Sequence, residues 1–166
     1  MSGTGHTVKS YEEEMQSLND NLVMMGSLTE NQMADAMAAV IKVDKESVDK
    51  IVKNDGKINE LRTTIYNQIT NVVVKRAPMA SDLRITISTM KISHDLERIG
   101  DQTKNIAKAS RWLSKLPQNQ TVLSIDNLFN LINSNFRKVG NSFNNEDSAK
   151  AKKIWLNDAE INKQYD

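Results

Sequence analysis

His94, Glu97 and Asp101 are spaced three and four residues apart in the run His94-Asp95-Leu96-Glu97-Arg98-Ile99-Gly100-Asp101. On a helix that spacing makes Glu97 and Asp101 neighbours on one face, and His94 extends the row. Like charges at i and i+4 cost roughly a few tenths of a kcal/mol, so the pair calls for a counter-charge. Carboxylates and an imidazole suit Mg²⁺, Mn²⁺, iron or Zn²⁺. Two carboxylates alone leave most of such an ion's shell to water or to another helix. The run Asp55-Gly56-Lys57-Ile58-Asn59 offers a second acid-x-x-x-oxygen pair, Asp55 with Asn59, as the other half of a metal site. Gly100, beside Asp101, permits a neighbouring element to come close. The alternative is a solvated face whose acids are neutralised by Lys91, Arg98 or Lys104.

Other chemistries find little support. The absence of cysteine removes disulfides, thiolate zinc sites and cysteine nucleophiles, and it suits a reducing cytoplasm. A bundle-borne di-iron oxidase needs paired Glu-x-x-His motifs, and the histidines are His6 and His94 alone. There is no phosphate-cradling glycine loop, nucleophile elbow or zinc-protease pair, so no catalytic residue is assigned and the chain is read as a non-enzyme. The 22 basic and 21 acidic residues nearly cancel, which points away from nucleic acid and anionic membranes. No segment reaches the roughly 20 apolar residues of a membrane span, and Met1 to Lys9 lacks the apolar core of a signal peptide.

The elements that must position these residues are helices. Two prolines and six glycines among 166 residues, with many Ala, Leu, Met, Lys and Glu, favour an all-α fold. The first helix is expected from about Tyr11 to Val43, with Tyr11, Met15, Leu18, Leu22, Met25, Thr29, Met33, Ala36, Val40 and Val43 as its apolar seam. Gly26, inside it, reads as a close helix contact or a slight bend. Asp44 is placed as N-cap of a second helix, about Lys45 to Lys75. The second seam is Val48, Ile51, Asp55, Ile58, Arg62, Ile65, Ile69 and Val72. Asp55 and Arg62 are charged seam positions, and each needs a partner or an ion, because desolvating a lone charge costs several kcal/mol.

Ala77-Pro78 ends the second helix, and the third is expected from about Ala80 to Leu113. Its core stripe reads Ile85, Thr89, Ile92, Leu96, Ile99, Thr103, Ile106, Ser110, Leu113. A second stripe, Leu83, Ile87, Met90, His94, Glu97, Asp101, lies nearly opposite. That places Glu97 and Asp101 on an outward face. A linker around Pro117 leads to a fourth helix, about Ser124 to Phe143, carrying Leu128, Leu131, Ile132, Phe136, Val139 and Phe143. A fifth helix is expected from near Asp147.

The chain also matches itself at an offset of 103 residues, where Asp44 falls on Asp147 and "NDGKIN" on "NDAEIN". Met25 meets Leu128, Met33 meets Phe136, Asp55 meets Asp158, Ile58 meets Ile161 and Asn59 meets Asn162. A period near 100 implies two copies of one three-helix unit. The expected organisation is a flexible stretch over 1–10, a complete first repeat over 11–116 and a partial second repeat over 117–166. The second copy stops inside its second helix, so a twin of "LERIGD" is missing. The fourth and fifth helices must dock on the first bundle, be covered by another chain, or belong to a fragment.

The segments "RAPMASDLR" and "KISHDLERIGDQTKNIA" resemble the third-helix region of PhoU proteins, regulators of bacterial phosphate uptake. "HTVKSYEEEMQSLNDNLVMMG" and "VDKESVDKIVKNDGKIN" resemble their first helix and the passage to their second. The resemblance implies tandem three-helix bundles, in agreement with the repeat. It implies that Glu97-Arg98-Ile99-Gly100-Asp101 matches the motif that binds metal clusters in some members, with Asp55 and Asn59 as the related pair. The family often has an acid where Asn59 stands. The resemblance further implies a cytoplasmic, non-catalytic adaptor that represses the phosphate-starvation response. Its implied partners are the phosphate ABC transporter ATPase and a sensor histidine kinase, with homo-oligomerisation expected. The rival reading is a helical scaffold or oligomerisation module without metal.

Overall fold

The computed structural model describes residues 3–42, 45–113 and 120–156. The described residues form five helices and short turns, with no strand among them: α1 Gly3–Lys42, α2 Lys45–Arg76, α3 Ala80–Leu113, α4 Gln120–Asn144 and α5 Ser148–Leu156. The fold is an all-α bundle, as the periodicity requires. None of these helices is long and apolar enough to cross a membrane. Val43, Asp44 as an N-cap, the Pro117 linker, and Asp158, Ile161 and Asn162 of the second repeat lie outside the described residues.

The chain forms two compact units. The first comprises Met1–Thr29 and Asn54–Asp101, the second Glu30–Lys53 and Gln102–Asp166. In the first unit, Leu18, Leu22 and Met25 of α1 and Ile58, Ile65, Ile69 and Val72 of α2 are buried, as their three-four spacing demands. Polar side chains tie the same two helices together. Asn21 donates to Gln68 at 3.0 Å, and Gln68 donates to Ser17 at 3.0 Å.

The first helix starts at Gly3, earlier than the expected Tyr11. Its early turns are anchored from outside. Arg76 donates to both carboxylate oxygens of Glu14, at 2.9 and 3.1 Å, and to Ser10 at 2.8 Å. Tyr11 donates its hydroxyl to Asp82 at 3.0 Å. Gly26 makes no close contact, since a Cβ there would meet nothing within 4 Å.

These braces converge on the α2–α3 turn. Pro78 ends α2, and the flanking Ala77 and Ala80 take φ of 45° and 47°, the left-handed region that L-residues pay roughly 1–2 kcal/mol to enter. The turn carries Met79 at its tip, 80% exposed.

In the second unit, Ala36 and Ala39 of α1, Val48 and Ile51 of α2 and Ala107 of α3 form a buried cluster. α4 and α5 pack on each other. The turn between them is a Schellman motif: Glu146 takes φ 52°, Asp147 N–H donates to Ser142 O at 2.8 Å and Glu146 N–H to Phe143 O at 3.1 Å. Asp147 then caps α5, accepting from the Lys150 N–H at 2.9 Å. The apolar set of α4 stays shallow: Ile132, Val139 and Phe143 are exposed, and α5 buries no residue.

The largest departure from the periodicity lies on α3. Its buried stripe is Thr86, Thr89, Ser93, Leu96, Gly100, Thr103, Ala107 and Ser110. Thr89, Leu96, Thr103 and Ser110 were expected there. Thr86, Ser93, Gly100 and Ala107 each replace the isoleucine immediately before them. One residue is about 100° of turn, so the true seam is rotated by roughly half that towards Glu97. Ile85 is 52% exposed, and Ile106 is exposed as well. Small side chains let helices approach closely, and a reading weighted by hydrophobicity passes over them.

Candidate functional site

The rotation of the α3 seam changes where the acids stand. Glu97 follows Ser93 by one turn and precedes Gly100 by three residues, so it flanks the seam. Its side chain is only 18% exposed. The outward face expected for Glu97 and Asp101, opposite the seam, is therefore corrected: both are half-buried at the edge of the α2–α3 contact.

Asp55 stands where the α2 seam predicts and is 4% exposed. Asn59, one turn on, donates its amide to Asp55 Oδ2 at 3.4 Å. Across from them, Gly100 provides the closest fit. A Cβ at Gly100 would lie 3.2 Å from Ile58 Cδ1, 3.6 Å from Ile58 Cγ2 and 3.7 Å from Asp55 Oδ1. The α3 backbone thus covers the Asp55 carboxylate, which is the use for the glycine that the sequence suggested.

One heptad beyond Asp55, Arg62 reaches the other acid, with its Nε 3.9 Å from Glu97 Oε2. His94 Nδ1 approaches that same oxygen at 3.7 Å. Asp55 on α2 thus meets Gly100 on α3, and Arg62, one heptad on, reaches Glu97 from an exposed position, as Asn59 is exposed too. Asp101, next to Gly100, flanks the Asp55 end. The sequence marked Arg62 as a seam charge in need of a partner, and Lys91, Arg98 and Lys104 as neutralisers of the acids. Arg62 thus meets Glu97 from α2, whereas the expected neutralisers all lie on α3.

These residues can do limited chemistry as they stand. Among the described residues, no three His, Cys, Asp or Glu side chains gather as a set that could hold a metal ion. Asn59 presents an amide N–H to Asp55, and Glu97 faces a guanidinium. As placed, these side chains pair with one another and do not converge as a set of metal ligands. An ion pair at this distance and exposure contributes about 0–1 kcal/mol.

All of these residues lie within the stretch 22–110 that matches the PhoU domain model. The chain is 33% identical over 163 residues to a phosphate-specific transport system accessory protein PhoU homologue from Caulobacter vibrioides, covering 98% of this chain and 71% of that protein. It is 34% identical over 160 residues to the homologue from Xylella fastidiosa, covering 96% of this chain and 67% of the relative. The crystal structure of PhoU from Pseudomonas aeruginosa superposes with a TM-score of 0.89 at 26% identity, over 93% of this chain and 75% of that one. The phosphate transport system regulatory protein PhoU from Streptococcus pneumoniae gives 0.83 at 27% identity, over 93% and 73%. With a domain match over more than half of the chain and relatives aligned along nearly its whole length, the chain belongs to the PhoU family.

Proposed function

We propose that this chain is an accessory regulator of phosphate-specific transport that works by binding other proteins. It connects the ATPase of a phosphate ABC transporter to a sensor histidine kinase and holds the phosphate-starvation response off while phosphate is plentiful. It acts in the cytoplasm as a homo-oligomer. The observation that carries this reading is the family membership, joined to relatives named as accessory proteins of phosphate-specific transport. The surface agrees with a binding role. Met79 in the first unit, and Trp112 and Trp155 in the second, are each exposed large apolar side chains. Such residues are enriched where proteins meet. No catalytic constellation arises in the sequence to compete with this reading.

The test is complementation. A bacterium lacking its own PhoU and carrying a phosphate-starvation reporter receives this chain. The reporter is expected to fall to the repressed level in high phosphate and rise again on starvation. A reporter that stays fully active in high phosphate, with the chain expressed and folded, refutes the regulatory role and leaves a helical scaffold.

A further inference from the structure

The acid row on α2 and α3 bears on metal binding, and it does so independently of the regulatory role. Asp55 is buried on α2, and Glu97 and Asp101 are half-buried on α3, so each acid stands where solvent is partly excluded. Such a row is held by a bound cation or by a cation of the chain itself. Here the chain's own groups occupy the contact. Arg62 sits at the heptad position after Asp55, so the same helical phase that buries Asp55 delivers a guanidinium to the row. Its Nε lies 3.9 Å from Glu97 Oε2, with 47% of the Arg62 side chain exposed. Asn59 is the second substitute. An amide there removes one negative charge and donates a hydrogen bond to Asp55 Oδ2 at 3.4 Å, where a carboxylate would only accept. His94 adds a third donor-capable group at Glu97 Oε2, 3.7 Å away.

We propose that Arg62 is the resident cation of the α2–α3 acid row, and that together with Asn59 it excludes a metal ion from that row. The guanidinium stays charged at every working pH and cannot be displaced into a coordination shell, because it has no lone pair to offer. A metal ion entering the row would meet its positive charge at the Glu97 end and an amide N–H at the Asp55 end. The motif that reads as metal-binding in one dimension is in this chain a helix contact whose Glu97 end already holds a guanidinium.

The experiment measures metal directly. The full chain, purified without chelator, is incubated with ferric iron, zinc or manganese, desalted and analysed for bound metal by mass spectrometry. The wild type is expected to retain far less than one ion per chain. The R62Q/N59D double variant, checked for helicity by circular dichroism, is expected to retain at least about tenfold more metal than wild type. Adding Glu97→Gln to that variant should abolish the gain. Stoichiometric metal on the wild type that is lost in Glu97→Gln overturns the proposal, as does a folded double variant that gains none. Should the double variant not fold, Arg62→Gln alone decides the matter through its melting temperature. An upward shift with added manganese, absent in wild type, is expected. The same lack of response in both proteins contradicts the proposal.

Discussion

Gly100→Ala tests how α3 sits on α2 more sharply than any other single change. The new Cβ would lie 3.2 Å from Ile58 Cδ1 and 3.7 Å from Asp55 Oδ1, and Ile58 is fully buried. In a helix interior, Ala gains about 1 kcal/mol over Gly. Overpacking a closed contact costs about 1–3 kcal/mol. Here the intrusion is a few tenths of an ångström against the end of a flexible side chain, so the low end of that range applies. The two effects nearly cancel, and the net change should fall between zero and a loss of about 1 kcal/mol.

The control is Gly56→Ala on α2, where a Cβ meets nothing within 4 Å. There the propensity gain stands alone, and the variant should be stabilised by up to about 1 kcal/mol. A second arm removes the atom in the way. Ile58→Val deletes Cδ1 and costs about 0.5–1.5 kcal/mol alone, but less when Gly100 is already Ala. The double-mutant cycle should show a coupling of about 1 kcal/mol. Urea denaturation followed by circular dichroism, with midpoints compared at unchanged slope, reads all four proteins. If Gly100→Ala stabilises as much as Gly56→Ala and the cycle is additive, the close approach of α3 to Ile58 and Asp55 is refuted.

Three further outcomes follow from the same contacts. Ser93→Leu, at a buried small position of α3, should destabilise by about 1–3 kcal/mol, whereas Ile85→Ser, at an exposed one, should stay within about 0.5 kcal/mol, both read by urea denaturation. The Arg76 hydrogen bonds hold the Glu14 carboxyl below its ordinary value of 4.5. A depressed pKa gives stability that is present at neutral pH and lost as pH falls through the folded-state value. Melting temperatures of Arg76→Met should therefore fall less steeply on acidification than those of wild type. Burial and the Asp82 hydrogen bond raise the Tyr11 hydroxyl above 10.0. A raised pKa gives stability that is present below the unfolded value and lost as pH rises through the folded one. Tyr11→Phe should flatten that alkaline loss, and equal alkaline slopes for both proteins would contradict the Tyr11–Asp82 bond.

The helices and two of the three long seams were legible in the sequence because large apolar residues mark them. Leu18, Leu22 and Met25 on α1 and Ile51, Ile58 and Ile65 on α2 recur at three and four residues and are buried. On α3 the same logic selected Ile85 and Ile106, while Thr86 and Ala107 occupy the contact, because a close helix approach rewards small volume over hydrophobicity. That half-residue of rotation moved Glu97 from an outward face to the edge of the seam. The site was legible as a set of residues and not as an arrangement. Asp55, Asn59, Glu97 and Asp101 were named from spacing, but which cation met Glu97 depended on pairing two helices, which periodicity within one helix does not encode. The early start of α1 was hidden for a similar reason, since Ser10 and Glu14 are held by Arg76 from 62 or more residues away.

The regulatory role is tested most directly by binding of the purified chain to the isolated ATPase subunit of a phosphate ABC transporter, measured by calorimetry at physiological salt. Saturable binding, weakened by Met79→Ser at the exposed tip of the α2–α3 turn or by Trp155→Ser on α5, is the predicted result. A folded chain that binds neither the ATPase nor the cytoplasmic part of the sensor kinase would contradict it.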